Sequence, residues 1–367
     1  MIRLLIVDDS PLMRRLLGNV FASEGDFEIA FARNGVEALE QLAGFQPHVI
    51  TLDVYMPQMD GLSCLDRIML EHPCPVVMVS SLTAEGADVT LEALELGAVD
   101  FIAKPERAVS LEIETLAPLL VEKVRAASRA RLPGSLRLAE RVRLKSGLNR
   151  KPMAAPRRSL RPVLAVRATR SAVSPAYGVV LVGTSTGGPP ALDALLSRLP
   201  SAFPWPVVVA QHMPGSFTGP LARRLDKLCA LTVIEVTRPT PLEAGNVYIG
   251  KGDADVIVGT RPDGPIVLAA PSLPEHRWHP SVDRLVDSAM QHFAPTRLLG
   301  VLMTGMGSDG AEAMTRLRGQ GGRTIAEAEE SAVVWGMPGE LVRRGGAEIV
   351  APLELIADRI IDMLGRS

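Results

Sequence analysis

Short apolar runs alternate with amphipathic stretches along the first part of the chain. The runs are apolar throughout, which is typical of parallel strands that helices cover on both faces. Five strands are predicted: Arg3–Val7, Glu28–Phe31, His48–Leu52, Pro75–Val79 and Val99–Ile102. Each strand is followed by a predicted helix, and the five helices are Leu12–Ala22, Gly35–Leu42, Gly61–Leu70, Gly86–Leu96 and Leu111–Ala127. This order predicts a flavodoxin-like domain built on a five-stranded parallel sheet.

A second strand–helix alternation begins near residue 176 and predicts a doubly wound α/β domain. Its predicted strands are Gly178–Val182, Pro206–Ala210 and Leu298–Met303, and a helix is predicted from Pro189. Three shorter runs between them predict a small antiparallel β insertion: Val247–Ile249, Val256–Val258 and Ile266–Leu268.

Composition narrows the class of protein. Of the 367 residues, 47% are hydrophobic and 22% are charged, which excludes a wholly disordered chain. Cys64, Cys74 and Cys229 are too few for a disulfide framework and lack the spacing of a zinc site. The sequence shows no secretory signal and no apolar run of membrane-spanning length. We therefore expect a cytoplasmic protein without direct membrane insertion.

The formal charge of −2 conceals three blocks of different charge. Residues 1–124 carry −12, residues 125–170 carry +13 and residues 171–367 carry −3. The basic segment is rich in Arg, Pro and Ala, so we predict a linker over 125–175 between domains 1–124 and 176–367. A basic segment can bind nucleic acid, but this one lacks interleaved aromatic residues and a helix-turn-helix, so no nucleic acid partner is expected.

Polar side chains follow the predicted strands of the first domain. Asp8 and Asp9 follow the first strand, and Asp53, Ser80 and Lys104 follow the third, fourth and fifth. Three carboxylates meeting at one sheet edge suit Mg²⁺, and a lysine and a hydroxyl beside them suit a phosphoryl group. A single Asp in such a place is more often a helix cap, but five residues at matching strand ends favour a site.

These residues resemble the response-regulator receiver family. The matching segments are Asp8-Asp9-Ser10, Leu52-Asp53-Val54-Tyr55-Met56-Pro57, Asp60-Gly61, Val79-Ser80-Ser81 and Phe101-Ile102-Ala103-Lys104-Pro105. The resemblance implies that a histidine kinase supplies a phosphoryl group to Asp53. It implies that Mg²⁺ is held by Asp8, Asp9, Asp53 and the Tyr55 carbonyl. It also implies that Ser80 and Phe101 form a switch pair and that Lys104 contacts the phosphate. Close relatives often carry an acid at the position of Tyr55.

The second domain contains a serine in a pattern suited to nucleophilic catalysis. Gly183-Thr184-Ser185-Thr186-Gly187 is a G-x-S-x-G turn between a strand and a helix. His212 follows the next strand, and Asp309 follows another strand at the same predicted edge. A serine hydroxyl needs a base, and the base needs an orienting acid. The chain order Ser, His, Asp differs from that of the α/β-hydrolases, which favours a convergent triad on another fold.

Each of these residues also has a simpler interpretation. The glycine loop could bind a dinucleotide pyrophosphate, although Gln211-His212 stands where that site wants an acid. Asp309 could only cap its own helix, because Asp309-x-x-Glu312 fits a capping box. His212 could be a hydrogen-bonded histidine of the core. His276 and His279 lack a third ligand, so no metal is expected there.

The second domain resembles the chemotaxis protein-glutamate methylesterase family (CheB type). The matching segments are Gly183–Gly188, Gln211–Pro214, His279–Asp283, Thr304–Gly310 and Gly336–Pro338. The resemblance implies Ser185 as nucleophile, His212 as base, Asp309 as orienting acid, and Thr186 and Met306 as oxyanion donors, without a cofactor in this domain. Departures from the family pattern are Arg277-Trp278, Gly215-Ser216 and the arginine-rich linker.

The combined resemblance implies a phosphorylation-controlled enzyme. Its substrates would be glutamate γ-methyl esters, and also glutamines, of methyl-accepting chemoreceptors. An unphosphorylated receiver is expected to pack over the Ser185 cleft and to release it on phosphorylation. The alternative is a binding regulator that uses the basic linker and has no esterase activity.

Overall fold

The computed structural model describes residues 1–80, 83–104, 109–132 and 178–365. Its first unit is a five-stranded parallel sheet in the order β2-β1-β3-β4-β5 with helices on both faces. The elements are β1 Ile2–Val7, α1 Pro11–Ala22, β2 Phe27–Ala32, α2 Gly35–Phe45, β3 Val49–Asp53, α3 Gly61–Glu71, β4 Val76–Ser80, α4 Ala84–Leu96, β5 Asp100–Ala103 and α5 Val109–Ser128. All five predicted strands and all five predicted helices of this unit are confirmed.

Side-chain caps set where several of these helices begin. The Asn34 Oδ1 atom accepts from the Glu37 amide at 3.0 Å, and the Asp60 Oδ1 atom accepts from the Ser63 amide at 2.8 Å. Each cap satisfies an amide that has no partner in the first helical turn. These caps set where α2 and α3 begin, and the polar residues between the strands and the helices collect at one edge of the sheet.

The second unit is a seven-stranded sheet in the order β15-β14-β13-β6-β7-β10-β8, and its pairs are all parallel. Its elements are β6 Val179–Thr184, α6 Gly188–Leu196, β7 Val207–Gln211, α7 Gly215–Leu228, β8 Thr232–Val236, β9 Thr240–Pro241, β10 Asn246–Gly250, β11 Ala254–Arg261, β12 Gly264–Pro271, α8 Val282–His292, β13 Leu298–Leu302, α9 Ala311–Gly319, β14 Arg323–Glu327, α10 Met337–Arg343, β15 Ile349–Ala351 and α11 Leu353–Gly365. The α/β class predicted for this unit is confirmed.

One strand prediction is wrong. Val247–Ile249 does not belong to the antiparallel insertion, because β10 pairs in parallel with both β7 and β8. The physical reason is burial on both faces, since Val247, Tyr248 and Ile249 are all buried, as in a central parallel strand. The insertion itself is real: β11 and β12 pair antiparallel, and the short β9 adds to β12.

The two units pack against each other. The Phe101 ring of β5 lies 4.3 Å from the Phe217 ring of α7, measured between centroids, and both rings are buried. The Arg224 Nε atom of α7 lies 2.5 Å from the Glu95 Oε1 atom of α4. Most of the predicted linker, from residue 133 onward, lies outside the described residues. None of the helices in the described part is long and apolar enough to cross a membrane.

Within the second unit, Tyr248 of the seven-stranded sheet contacts β9 of the three-stranded sheet, and this contact can be tested. Its buried hydroxyl donates to the Pro241 carbonyl at 2.6 Å and accepts from the Glu243 amide at 3.0 Å. The change Tyr248→Phe leaves both groups without this partner, so the free energy of unfolding in urea should fall by about 1–2 kcal/mol. The control Tyr55→Phe, at an exposed ring, should change it by less than about 0.5 kcal/mol. Equal effects of the two changes would contradict this role.

Candidate active site and phosphate-acceptor site

Ser185 lies in a tight turn between β6 and α6. Gly187 has a φ of +76°, and a Cβ there would lie 2.7 Å from Val333. A Cβ at Gly188 would lie 1.9 Å from the Gln211 Oε1 atom. Glycine is therefore required at the last position of G-x-S-x-G and at the residue after it. It is also required at the first position, because a Cβ at Gly183 would lie 2.5 Å from the Val282 Cγ1 atom. The Ser185 amide donates to the Thr304 carbonyl at 3.0 Å, so the turn is tied to the loop after β13.

Parallel pairing brings the predicted triad residues to one edge of the sheet. Thr184 is paired with Gln211 in the β6–β7 register, so Ser185 and His212 follow matched positions. The His212 amide donates to the Thr184 carbonyl at 3.0 Å. The His212 Nε2 atom lies 2.8 Å from the Asp309 Oδ2 atom. The buried His212 Nδ1 atom has no partner among the described residues, so it is the ring nitrogen left for a serine hydroxyl.

The carboxylate of Asp309 is held at the start of α8. It accepts from the Val282 amide at 2.6 Å, the Asp283 amide at 3.1 Å and the Ser281 hydroxyl at 3.0 Å. Burial alone would raise the pKa of Asp309, but the bonds from His212 and these amides lower it to about 2. Asp309 is therefore ionised and able to orient the imidazole and stabilise its charged form.

The contacts of Asp309 and His212 do not fit the simpler interpretations of these residues. The capping-box alternative for Asp309 does not hold: α9 has Gly310 at its N-cap with no side-chain cap bond. The Asp309 carboxylate instead accepts from the first two amides of α8, whose own N-cap is Ser281. His212 is not a fully bonded core histidine, because only one ring nitrogen has a partner in the described part. His276 bonds the Ser281 hydroxyl at 3.3 Å and His279 bonds Asp255 at 2.9 Å, so both belong to a hydrogen-bond network.

Two backbone amides predicted to bind an oxyanion belong to segments that lie close to Ser185. The amides of Thr186 and Met306 have no acceptor among the described residues. Thr186 follows the serine, and the chain before Met306 passes close to it, since a Cβ at Gly305 would lie 2.8 Å from the Ser185 Cβ. Free amides beside a serine hydroxyl are the groups that stabilise a tetrahedral intermediate.

The predicted phosphate-acceptor residues also converge. Asp8, Asp9 and Asp53 each offer an oxygen, and these oxygens lie within 4.8 Å of one another. The Lys104 Nζ atom lies 2.7 Å from the Asp53 Oδ2 atom and 3.0 Å from the Asp8 Oδ2 atom. Burial raises the pKa of Asp53 to about 6, against the opposing effect of Lys104. Three hard oxygen donors and an ammonium group fit a divalent cation beside an anionic ligand.

Comparisons with known proteins match both units of the chain. Residues 180–360 match the CheB methylesterase family model, and residues 4–114 match the response regulator receiver domain model. A protein-glutamate methylesterase/protein-glutamine glutaminase of Rhodopseudomonas palustris is 59% identical over 99% of this chain and 98% of its own length. A relative with the same activity name from Rhodospirillum rubrum is 53% identical over 100% of this chain and 97% of its own length. The chain belongs to the CheB methylesterase family.

A solved structure supports the fold of the second unit. The Thermotoga maritima CheB methylesterase catalytic domain is 36% identical, with a TM-score of 0.50. The match covers 51% of this chain and 99% of that one.

In this CheB-family chain, the receiver unit contacts the serine turn directly. The Thr186 hydroxyl donates to the Asp100 carboxylate, and the Gly187 amide donates to the Val99 carbonyl at 3.2 Å. The Lys123 Nζ atom lies 2.8 Å from the Asp100 Oδ1 atom and holds this carboxylate from the α5 side. Phe101 follows Asp100 in β5 and packs on Phe217. Sequence reasoning missed Val99 and Asp100, because only domain packing gives them a role.

The other predicted receiver residues lie around the acceptor site. Ser80 is fully buried at the end of β4, and its hydroxyl donates to the Gly86 carbonyl at 3.2 Å. The Lys104 amide donates to the Ser80 carbonyl at 2.7 Å, which joins the ends of β4 and β5. The Tyr55 side chain is exposed, so its departure from the family pattern does not crowd the acceptor site.

Sequence reasoning also missed Glu327, whose carboxylate is hydrogen-bonded to the loop after β13. It is fully buried at the end of β14 and accepts from the Thr304 amide at 2.7 Å and the Ser331 hydroxyl at 2.9 Å. Thr304 in turn accepts from the Ser185 amide and donates its hydroxyl to the Thr186 carbonyl at 2.9 Å. The sequence did contain a signal for this residue, namely an acidic side chain at the end of an apolar strand. Burial raises the pKa of Glu327 to about 7.

The raised pKa of Glu327 predicts a pH-dependent stability. The folded protein holds this proton up to about pH 7, whereas an unfolded Glu releases it near pH 4.5, so the contribution of this group to stability is lost as pH rises between those values. The change Glu327→Gln removes the titration. Urea denaturation measures the free energy of unfolding of Glu327→Gln minus that of the unchanged protein. This difference should rise by up to about 3 kcal/mol as the pH rises from 4.5 to 8.

The control for this experiment is Glu330→Gln at an exposed position of the same loop. Its difference from the unchanged protein should stay within about 0.5 kcal/mol at every pH. A difference for Glu327→Gln that does not vary with pH would contradict the buried proton.

Proposed function

We propose that the protein is a phosphorylation-controlled protein-glutamate methylesterase that also deamidates glutamines, with Ser185, His212 and Asp309 as its triad. The bond of 2.8 Å between His212 and an ionised Asp309, beside the serine turn, carries this proposal. The names of the relatives that match nearly the whole chain support the substrate class. The proposed substrates are glutamate γ-methyl esters and glutamines of methyl-accepting chemoreceptors.

The proposed mechanism uses the geometry of the sheet edge. The Ser185 Oγ atom attacks the ester carbonyl carbon while the His212 Nδ1 atom takes the hydroxyl proton. The amides of Thr186 and Met306 bind the oxyanion. The imidazolium returns its proton to the leaving methoxy group, and methanol departs. Water then attacks the acyl-enzyme and releases glutamate and free Ser185. With a glutamine the same steps release ammonia.

The proposed control begins at Asp53, which takes a phosphoryl group from a histidine kinase. Asp8, Asp9, Asp53 and the Tyr55 carbonyl would hold Mg²⁺. When bound, Mg²⁺ neutralises negative charge on the phosphoryl oxygens. The Lys104 ammonium, already 2.7 Å from the Asp53 Oδ2 atom, is placed to contact the phosphate. Ser80 and Phe101 would respond to this new charge as the switch pair.

The contacts between the units support inhibition by the docked receiver. Asp100 and Val99 bind Thr186 and Gly187, the two residues that follow the nucleophile. A receptor helix needs this same face of the turn in order to present its ester to Ser185. Phosphorylation that shifts the docking equilibrium by about 1.4 kcal/mol would change the ratio of open to closed protein about tenfold.

The change Ser185→Ala tests the assignment of the nucleophile. Without the hydroxyl no acyl-enzyme forms, so methanol release from methylated receptor membranes should fall by a factor of about 10³ or more. The matched control Ser197→Ala, at the end of α6, removes a serine outside the triad and should keep the rate within about twofold. Methanol release by Ser185→Ala at the unchanged rate would refute the triad, and the regulator without esterase activity predicts no release by the unchanged protein.

The change Asp100→Ala tests the inhibitory contact. It removes the acceptor of the Thr186 hydroxyl, so the basal rate without phosphodonor should rise about tenfold. The rate with saturating phosphodonor should stay the same, because the open form does not use this bond. An acid on α3, removed in Asp66→Ala, serves as control and should leave the basal rate unchanged. An unchanged basal rate in Asp100→Ala would show that this contact does not restrain the enzyme.

A further inference from the structure

The loop between β12 and α8 places an aromatic ring on the proposed catalytic base. The Trp278 ring stacks on the His212 imidazole, with 5.8 Å between centroids and an angle of 13° between the planes. His212 has one bonded ring nitrogen, Nε2, and an unpartnered Nδ1 in the described part. A single hydrogen bond leaves an imidazole free to tilt, whereas a stacked ring restricts its plane.

Trp278 also reaches the loop that carries the second oxyanion amide. Its indole Nε1 atom lies 3.7 Å from the place where a Cβ of Gly307 would stand. Gly307 has a φ of +77° and directly follows Met306. The indole therefore lies between the proposed base and the loop that carries Met306.

Arg277 connects this indole to the receiver unit. Its guanidinium carbon lies 5.3 Å from the centroid of the Trp278 ring. Its Nη2 atom lies 2.5 Å from the Glu122 Oε2 atom of α5. A continuous series of contacts thus runs from α5 of the receiver through Arg277 and Trp278 to His212. This series is separate from the contacts that Asp100 and Val99 make with the serine turn.

We propose that Trp278 is a positioning residue for His212, and that the Arg277–Glu122 pair couples the place of its indole to the docking of the receiver. The inference rests on the proposed function and adds a second route by which the receiver acts on the triad. Docking controls access to Ser185 through β5, and it controls the orientation of the His212 imidazole through α5. The Arg277-Trp278 departure from the family pattern thereby gains a role.

Another exposed ion pair, between Arg131 and Glu329, provides a matched comparison for the Arg277 pair. The Arg131 Nη2 atom lies 2.8 Å from the Glu329 Oε1 atom, and both side chains are about as exposed as Arg277. Neither residue of this second pair makes a ring contact with Trp278 among the described residues. Loss of either pair should weaken docking to a similar, small extent, because exposed ion pairs contribute little. Only loss of the Arg277 pair should disturb the indole.

The positioning role is tested by kinetics with saturating phosphodonor, so that docking does not limit the rate. The change Trp278→Leu should lower kcat about tenfold with little change in KM, because the base loses its orientation and no substrate contact is removed. Trp278→Phe keeps an aromatic face and should restore kcat to within about threefold. A rise in KM at constant kcat, or equal losses in the two variants, would overturn the positioning role.

The coupling to the receiver is tested by tryptophan fluorescence of the full chain. The difference in emission between the unchanged protein and Trp278→Phe isolates Trp278 from the other two tryptophans. Addition of acetyl phosphate and Mg²⁺ should change this component, and Asp53→Asn should abolish the change. Arg277→Gln should abolish it as well, whereas Arg131→Gln should retain it. Each Arg variant is measured with and without Trp278→Phe.

This optical measurement does not depend on turnover, so it separates the inference from the proposed function. An absence of methanol release by the unchanged protein would refute the esterase while the fluorescence still reports the coupling. An emission of Trp278 that ignores the phosphodonor, or an equal loss in Arg131→Gln and Arg277→Gln, would overturn the coupling.

Discussion

Parallel pairing of β6 with β7 and β13 is the constraint on which the proposed chemistry depends. The registers place Thr184 beside Gln211 and Gly183 beside Leu302, so three chain segments leave the sheet at one edge. Ser185, His212 and the loop to Asp309 are separated widely in sequence but start from adjacent strand ends. The same geometry in the receiver collects Asp8, Asp53 and Lys104. One architectural rule thus builds two sites of different chemistry.

The buried charge of Asp309 needs a compensating environment, and α8 provides it. Two amides of the first turn and the Ser281 hydroxyl bond the carboxylate, and His212 takes the remaining position. A helix N-terminus favours negative charge, so the carboxylate stays ionised although it is buried. The acid that orients the base is therefore held by a helix that contributes no triad residue itself.

The contacts between the units run largely through one strand of the receiver. Asp100 and Phe101 are neighbours in β5, yet the first binds the serine turn and the second packs on α7. Lys104 directly follows β5 and lies beside Asp53. A single short strand therefore contacts the serine turn and leads directly to the lysine beside Asp53.

The sequence alone predicts the fold class, the receiver strands and helices, and each proposed catalytic or acceptor residue, because glycine turns and polar strand ends are local signals. It failed at Val247–Ile249, since burial on both faces depends on strands β7 and β8, which lie beside β10 only in the folded sheet. It left open whether Asp309 caps its own helix, because the first amides of α8, which its carboxylate accepts from, are distant along the chain. The contacts of Asp100, Glu327 and Trp278 become visible only in the folded chain, because the partner of each residue is distant in the sequence.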